Sequence, residues 1–202
     1  MAKFNTVVFD LGGVLIDWNP EYVYRTIFSK EEEMREFFRT VCTPDWNEEQ
    51  DAGRSLKEAT ELLIHQFPHH EKNIRAYYDR WEEMLGGPIH GTVDIFRELK
   101  NKQYNTYALT NWSAETFPIA LDKYLFLHWF DGRHVSGEEK TRKPFRDFYE
   151  SMIKRFSIDP AASVYVDDNQ RNLHPAKELG FTTIHFQSPV QFRRELEMLK
   201  LL

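Results

Sequence analysis

Four short groups of polar residues in this chain have types and spacings that could do chemistry. The first is Asp10, which ends an apolar run at residues 6–9 and precedes Gly12 and Gly13. A carboxylate in this position can act as a nucleophile or a metal ligand, and the glycines allow a tight turn that approaches a ligand closely. The same residues also fit an ordinary turn or helix cap, so Asp10 alone does not define a function.

Two further groups supply neutral donors and a positive charge. Thr110 and Asn111 follow the apolar run at 107–109, and with the backbone N–H groups of a following helix they could hold phosphoryl oxygens. Lys143 stands before Pro144, which sets the start of a helical pattern, and its ammonium could neutralise charge on a nucleophile and on a transferred group. Helix capping by Thr110 and a solvated basic run around Lys143 are the alternatives.

The fourth group is the acid pair Asp167 and Asp168, which follows the apolar run at 164–166 and precedes Asn172. Adjacent carboxylates repel each other unless a cation lies nearby. Oxygen ligands with open water positions suit Mg²⁺. The pair therefore indicates a Mg²⁺ site, with a polar turn that caps a helix as the alternative.

Short apolar runs that alternate with amphipathic helical patterns must position these groups. The alternation covers residues 4–16 and continues from residue 89 to the C-terminus, where Gly180 is typical of a helix C-cap. It predicts an α/β fold with a parallel sheet between two helix layers, a three-layer Rossmann-like core. We assign residues 1–16 and 89–202 to this core.

Residues 17–88 lack strand signals and predict a helical insertion directly after the first strand. Ser55 and Glu58 form a capping-box pattern at the start of one helix, and residues 86–88 are typical of a return linker. The stretches with helical spacing are 20–28, 31–41, 55–66 and 70–85. Because open parallel sheets bind ligands at the carboxyl ends of their strands, an insertion at this point predicts a four-helix cap over the site.

Bulk properties narrow the class of protein. A chain of 202 residues that is 41% hydrophobic can bury a sizeable core, and a formal charge of −6 with scattered Lys and Arg argues against a nucleic-acid partner. No apolar run approaches the roughly 20 residues of a membrane-spanning helix, and the N-terminus enters a strand-like run without a signal-peptide pattern. The single cysteine, Cys42, excludes an internal disulfide and a cysteine-based zinc site. We therefore expect a soluble, cytoplasmic protein.

The order and spacing of the four groups resemble those of the haloacid dehalogenase superfamily, in the branch with a small helical cap, over nearly the whole chain. The resemblance implies that Asp10 attacks phosphorus and forms a phosphoaspartate that water hydrolyses. It implies that Mg²⁺ is bound by Asp10, the Gly12 carbonyl and Asp168. It also implies that Thr110 and Lys143 hold the phosphoryl oxygens, as catalytic and substrate-binding residues.

The remaining predicted site residues support this set. The resemblance implies that Asp167 and Asn172 support the metal ligands without binding the ion directly. We expect Asn111 to contribute to substrate binding from the core and Trp46 to do so from the cap. The implied partner is a small phosphorylated metabolite, bound by a monomer or a homodimer.

One position departs from the family pattern. Gly12 stands where most phosphatases of the family carry a second aspartate as general acid and base, and such groups contribute about 10²–10⁴-fold to a rate. Asp17, where the chain leaves for the cap, is a weak substitute. A similar branch that acts on sugar 1-phosphates shares the Asp-Leu-Gly motif. We therefore predict a Mg²⁺-dependent phosphatase for activated esters: sugar 1-phosphates, acyl phosphates or aryl phosphates.

Two alternatives remain open at this stage. A metal-independent 2-haloacid dehalogenase would use Asp10 to attack carbon, and Gly12, Asn111 and Tyr149 are compatible with it. The acid pair argues against this chemistry, because a metal-free site that binds an anion gains nothing from two more carboxylates. A catalytically weak protein kept for binding or regulation is the other alternative, and the absent second aspartate is its support.

Overall fold

The computed structural model describes residues 4–202, so residues 1–3 of the predicted core lie outside the described residues. Within that range, five strands form a parallel sheet in the order β5-β4-β1-β6-β7, and two more form an antiparallel ribbon. The predicted α/β fold with a parallel sheet is confirmed. The strands are β1 (Thr6–Phe9), β2 (Ile16–Trp18), β3 (Leu85–Pro88), β4 (Asn105–Thr110), β5 (Gly132–Val135), β6 (Ser163–Asp167) and β7 (Thr182–His185).

Helices cover both faces of the sheet. None of the helices within residues 4–202 combines the length and the apolar character needed to cross a bilayer. The α-helices are α1 (Glu21–Tyr24), α2 (Glu31–Thr40), α3 (Pro44–Asp51), α4 (Leu56–Gln66), α5 (Glu71–Asp79), α6 (His90–Asn101), α7 (Phe117–Lys123), α8 (Ser136–Glu139), α9 (Arg146–Phe156), α10 (Gln170–Glu178) and α11 (Pro189–Met198). Short 3₁₀ helices lie at Pro68–His70, Trp81–Met84, Leu125–Trp129 and Pro160–Ala162.

The apolar strands send alternate side chains to opposite faces, which builds two hydrophobic clusters. Phe9 on β1 packs against Phe96 of α6 and Phe192 of α11, with ring centroids 5.3 and 5.9 Å away. Its neighbour Val8 points to the other face and joins the cluster that contains Phe148 of α9. Because both faces of β1 are buried, this strand is apolar without alternation, as in parallel sheets covered by helices.

The strand order brings the ends of three strands together. Phe9 at the end of β1 pairs with Ala108 of β4 on one side and with Val166 of β6 on the other. Parallel neighbours end at the same edge of a sheet, so the residues that follow these strands lie side by side. Asp10 therefore stands between Thr110 and Asp167, at the edge where open sheets bind ligands.

The insertion differs from its predicted form in two respects. Ile16–Trp18 and Leu85–Pro88 pair as an antiparallel ribbon at the base of the insertion, so the expected return linker at 86–88 is a strand. A further helix, α3, begins at Pro44, and the preceding Thr43 caps it, because the Thr43 side chain accepts a hydrogen bond from the Trp46 N–H. The segment 19–84 thus contains five α-helices rather than four. We propose residues 17–88 as the cap.

Packing of α11 on the sheet generates a stability prediction. Phe192 is fully buried against Phe9, so Phe192→Ala leaves a cavity and lowers the free energy of unfolding by about 3–5 kcal/mol. Val190→Ala on the same helix is the control, because Val190 is 63% exposed and its change stays within about 0.5 kcal/mol. Urea unfolding measures both. Equal losses for the two variants would contradict this account of the core.

Candidate active site

The centre of the site is a buried ammonium shared by two carboxylates. Lys143 Nζ lies 2.8 Å from Asp10 Oδ2 and 2.8 Å from Asp167 Oδ2, and the Lys143 side chain is 1% exposed. The other oxygen of Asp10 accepts a hydrogen bond from the Leu11 N–H at 2.7 Å. A buried charge is tolerated when it is paired and hydrogen-bonded, and this arrangement satisfies both conditions. It holds the Asp10 carboxylate in one orientation.

Asp167 is fixed from every side. Besides Lys143, its carboxylate accepts hydrogen bonds from the Tyr165 hydroxyl, from the Asn169 N–H at 2.8 Å and from Asn172 Nδ2 at 3.0 Å. Burial opposes ionisation of Asp167, but the ammonium and these donors outweigh it and hold the pKa of Asp167 below its usual value. Asp167 is therefore an ionised anchor for Lys143, with its oxygens already engaged.

Asp10 and Lys143, which face the cavity, both have pKa values above their usual range, each for a different reason. Burial raises the pKa of Asp10 well above its usual value, and the nearby Asp167 and Asp168 charges add to this effect against the opposing Lys143 charge. Burial lowers the pKa of Lys143, but the carboxylates of Asp10 and Asp167 outweigh it and leave that pKa above its usual value. The lysine thus stays charged, while the site carries more negative charge than Lys143 alone can neutralise.

Three carboxylates converge where the sequence predicts a metal. Oxygens of Asp10, Asp167 and Asp168 all lie within 4.8 Å of one another. The Asp168 carboxylate lies against the turn at Gly13, where any Cβ would overlap it and where φ is +72°, so the glycine is required on both grounds. An all-oxygen donor set with excess negative charge fits Mg²⁺, which prefers a few carboxylates and keeps several waters.

A cleft of about 460 Å³ opens over these groups. From the core it is lined by Asp10, Gly12, Gly13, Asn111, Lys143, Asp168, Asn169, Arg171 and Asn172. From the insertion it is lined by Trp18, Pro20, Phe38, Cys42, Pro44, Asn47, Glu48, Asp51 and Tyr77. Of the predicted site residues, the cleft therefore brings together Asp10, Gly12, Asn111, Lys143, Asp168 and Asn172.

Thr110 and Asn111 occupy different situations at the end of β4. The Thr110 hydroxyl is buried and has no hydrogen-bond partner among residues 4–202, and Thr110 is not among the residues that line the cleft, so its role in holding a phosphoryl oxygen stays a prediction. Asn111, which was expected to bind the substrate, lines the cleft, and its amide accepts from the Lys143 N–H at 2.8 Å and donates to the Lys143 carbonyl at 3.0 Å. It therefore also positions Lys143, and its contact with a substrate stays a prediction.

Trp46, which was predicted to bind the substrate from the cap, does not face the cleft in this structure. Its ring packs inside the insertion against Tyr77 and Tyr78, with centroids 5.1 and 5.4 Å away, and it is not among the residues that line the cleft.

Tyr149, which is compatible with a dehalogenase, is fully buried and donates its hydroxyl hydrogen to the Asn172 carbonyl at 2.8 Å. It does not line the cleft either.

Helix α3 carries the site residues that the sequence reasoning missed. Glu48 forms ion pairs with Arg142, at 3.1 Å, and with Arg171, which fasten the helix to the core. Asn47 and Asp51, on adjacent turns of α3, face the cleft. The Thr-Pro helix start at residues 43–44 and the i, i+4 spacing of Asn47 and Asp51 are the sequence signals that indicate a helix with one polar face.

Comparison with known proteins agrees with this geometry. The model of a family described as haloacid dehalogenase-like hydrolase matches residues 7–186. The sesquiterpene phosphatase astK of Aspergillus oryzae is 26% identical over 198 residues, 98% of this chain and 97% of that protein. The D-ribitol-5-phosphate phosphatase of Bacteroides thetaiotaomicron is 22% identical over 205 residues, 96% of this chain and 97% of that protein.

The solved structures include one with a similar fold and bound ligands. It is a haloacid-dehalogenase-family enzyme from Bacteroides thetaiotaomicron in complex with magnesium and inorganic phosphate, with a TM-score of 0.69 and 22% identity. The match covers 92% of this chain and 94–95% of that enzyme in its magnesium-bound forms. The likeness shows a shared fold, and the predicted resemblance is confirmed.

The shared ammonium generates a second stability prediction. Lys143→Met leaves the buried Asp10 and Asp167 carboxylates without their cation, so the free energy of unfolding falls by about 3–5 kcal/mol in metal-free buffer. Lys154→Met on the exposed surface of α9 is the control and stays within about 0.5 kcal/mol. Urea unfolding with EDTA measures both. A Lys143→Met loss no larger than that of the control would contradict the assigned ion pairs.

Proposed function

Because the chain belongs to the haloacid dehalogenase-like hydrolase family, we propose that it is a Mg²⁺-dependent phosphatase that forms a phosphoaspartate on Asp10. One observation carries the proposal. The Lys143 ammonium joins Asp10 to Asp167, while the Asp168 carboxylate converges on the same point with excess negative charge. Phosphoryl transfer depends chiefly on positioning and charge neutralisation, and this cluster supplies positions for both.

The residues of the core have separate parts in the first half of the reaction. The Asp10 carboxylate attacks phosphorus, and its orientation is set by Lys143 and the Leu11 N–H. Lys143 and the free Thr110 hydroxyl bind phosphoryl oxygens. Bound by Asp10, Asp168 and the Gly12 carbonyl, Mg²⁺ supplies charge neutralisation for the transferring group. In the second half, water attacks phosphorus and restores the Asp10 carboxylate.

The proposed substrates are small phosphate monoesters. The relatives are named as a sesquiterpene phosphatase and a D-ribitol-5-phosphate phosphatase, which supports the hydrolysis of phosphate monoesters at the phosphorus–oxygen bond. Because residue 12 is a glycine, the core has no carboxyl group there to protonate the leaving oxygen. The core by itself therefore favours activated esters, such as sugar 1-phosphates, whose leaving oxygen depends less on protonation.

Removal of the nucleophile tests the proposal. We expect phosphate release from acetyl phosphate, p-nitrophenyl phosphate and glucose 1-phosphate that requires Mg²⁺ and stops with EDTA. Asp10→Asn keeps the size of the side chain but removes the attacking oxygen charge, so its release falls to background. A colorimetric phosphate assay measures both proteins.

The same series separates the competing functions. Asp94→Asn, an exposed carboxylate on α6, is the matched control and keeps the activity of the unchanged protein. No phosphate release from any of the three esters would overturn the proposal. Chloride release from L-2-chloropropionate in EDTA would then identify a dehalogenase, and its absence would favour a binding protein.

A further inference from the structure

Asp51 is a carboxylic acid of the cap that faces the reaction cleft and has no part in the proposed mechanism so far. It is the last residue of α3 and lines two adjoining cavities. One is the cleft that contains Asp10. The other is a narrower pocket of about 80 Å³ that also touches Gly12 and Asn111. Asp51 therefore lies where the two cavities meet.

The narrower pocket is suited to the alcohol part of a substrate. Its walls include the rings of Trp18, Tyr78, Trp81 and Trp112. The buried Trp112 Nε1 has no hydrogen-bond partner among the described residues. Aromatic walls favour flat or apolar groups, and phosphate bound at Asp10 would direct its ester oxygen towards the shared boundary of the two cavities.

The departing ester oxygen needs a proton, and few groups around the cleft can supply one. Asp10 and Asp168 belong to the nucleophile and metal cluster, and Lys143 is tied to two carboxylates. Glu48 is engaged by Arg142 and Arg171. Burial raises the pKa of Cys42 to about 12 and also raises that of Tyr77. The weak substitute Asp17 accepts from the Tyr22 hydroxyl at 2.6 Å and lines neither cavity.

Asp51, by contrast, is held in place and is not ion-paired. Asn47 Nδ2 donates to Asp51 Oδ2 at 3.2 Å, and the Tyr78 hydroxyl in turn donates to Asn47 Oδ1 at 3.0 Å. This chain of hydrogen bonds orients one oxygen of the carboxyl group. The Ser113 backbone also hydrogen-bonds to the Asp51 carboxyl group, which has no further side-chain partner in the described part of the molecule.

The surroundings of Asp51 also suit proton transfer. Burial, followed by the Glu48 charge, raises the pKa of Asp51 to about 7. The Ser113 backbone and the charges of Arg142 and Lys143 act in the opposite direction but are outweighed. The tyrosines of α5 face it as neutral groups, since their own pKa values are raised. An acid with a pKa near the operating pH is the most effective in general catalysis.

We propose that Asp51 is the general acid and base of this phosphatase, supplied by the cap in place of a carboxyl at Gly12. As the Asp10 oxygen bonds to phosphorus, the ester P–O bond breaks and the leaving oxygen takes the proton of Asp51. The Asp51 carboxylate then accepts a proton from water, whose oxygen bonds to phosphorus while the bond to Asp10 breaks. Free alcohol and phosphate leave, and Asp51 is protonated again.

The inference rests on the proposed phosphatase function and widens its substrate class from activated esters to ordinary alkyl phosphates. Benzyl phosphate and p-nitrophenyl phosphate place a similar ring in the aromatic pocket but differ in the acidity of the leaving oxygen. Asp51→Asn lowers kcat/KM for benzyl phosphate by about 10²–10⁴-fold and for p-nitrophenyl phosphate by less than about tenfold. The fall in benzyl phosphate hydrolysis above neutral pH also disappears in the variant, because that fall reflects loss of the Asp51 proton.

Two further variants sharpen the comparison. Asp45→Asn makes the same change on an exposed position of α3 and leaves both rates unchanged. A Cβ at Gly12 would meet nothing within 4 Å, so there is room for a carboxyl on the core side. Gly12→Asp combined with Asp51→Asn is therefore expected to restore at least about tenfold of the lost benzyl phosphate activity.

A spectroscopic measurement tests Asp51 without metal or turnover. Infrared difference spectra between the unchanged protein and Asp51→Asn should show a protonated carboxyl that is lost across the neutral pH range. An Asp51 that is ionised throughout that range, or equal losses on both esters, would overturn the inference. A protein that releases no phosphate from either ester would instead count against the proposed function, and the infrared result would still decide the state of Asp51.

Discussion

The structure depends on one interaction, the sharing of the Lys143 ammonium between Asp10 and Asp167. Three carboxylates at the edge of one sheet repel one another, and burial strengthens that repulsion. Lys143 reduces this repulsion, because its buried ammonium pairs with two of the three carboxylates, those of Asp10 and Asp167. The remaining excess of negative charge supports the proposal that the site binds a divalent cation and, through it, a phosphoryl group.

The segment that contains Lys143 also contacts the cap. Arg142 pairs with Glu48 of α3, while the next residue, Lys143, points into the core and has its main chain fixed by Asn111. The position of α3 is therefore tied to the position of Lys143, the counter-ion of Asp10. This link explains how a carboxyl group at Asp51, on a separate element, can face the same cleft with a defined orientation.

The sequence by itself determined the fold class and placed polar residues at the ends of strands. Short apolar runs with buried strand character end at Asp10, Thr110 and Asp167, and parallel strands end at a common edge, so these residues were expected along one edge, while the structure showed that β1 lies between β4 and β6. Glycine at position 13 was informative for a similar reason, since its positive φ and its contact with Asp168 tolerate no side chain. These features follow from local pattern and elementary sheet geometry.

Only the tertiary structure decided which residues of the cap face the site. Trp46 and Asp51 lie on the same helix, yet the tryptophan packs inside the insertion while the aspartate faces the cleft. That choice depends on the rotation of α3, which is set by ion pairs from Glu48 to arginines far away in the sequence. The contact of Asn111 with the Lys143 main chain was not predictable for the same reason, because the two residues are distant along the chain. Local periodicity carries no information about such contacts.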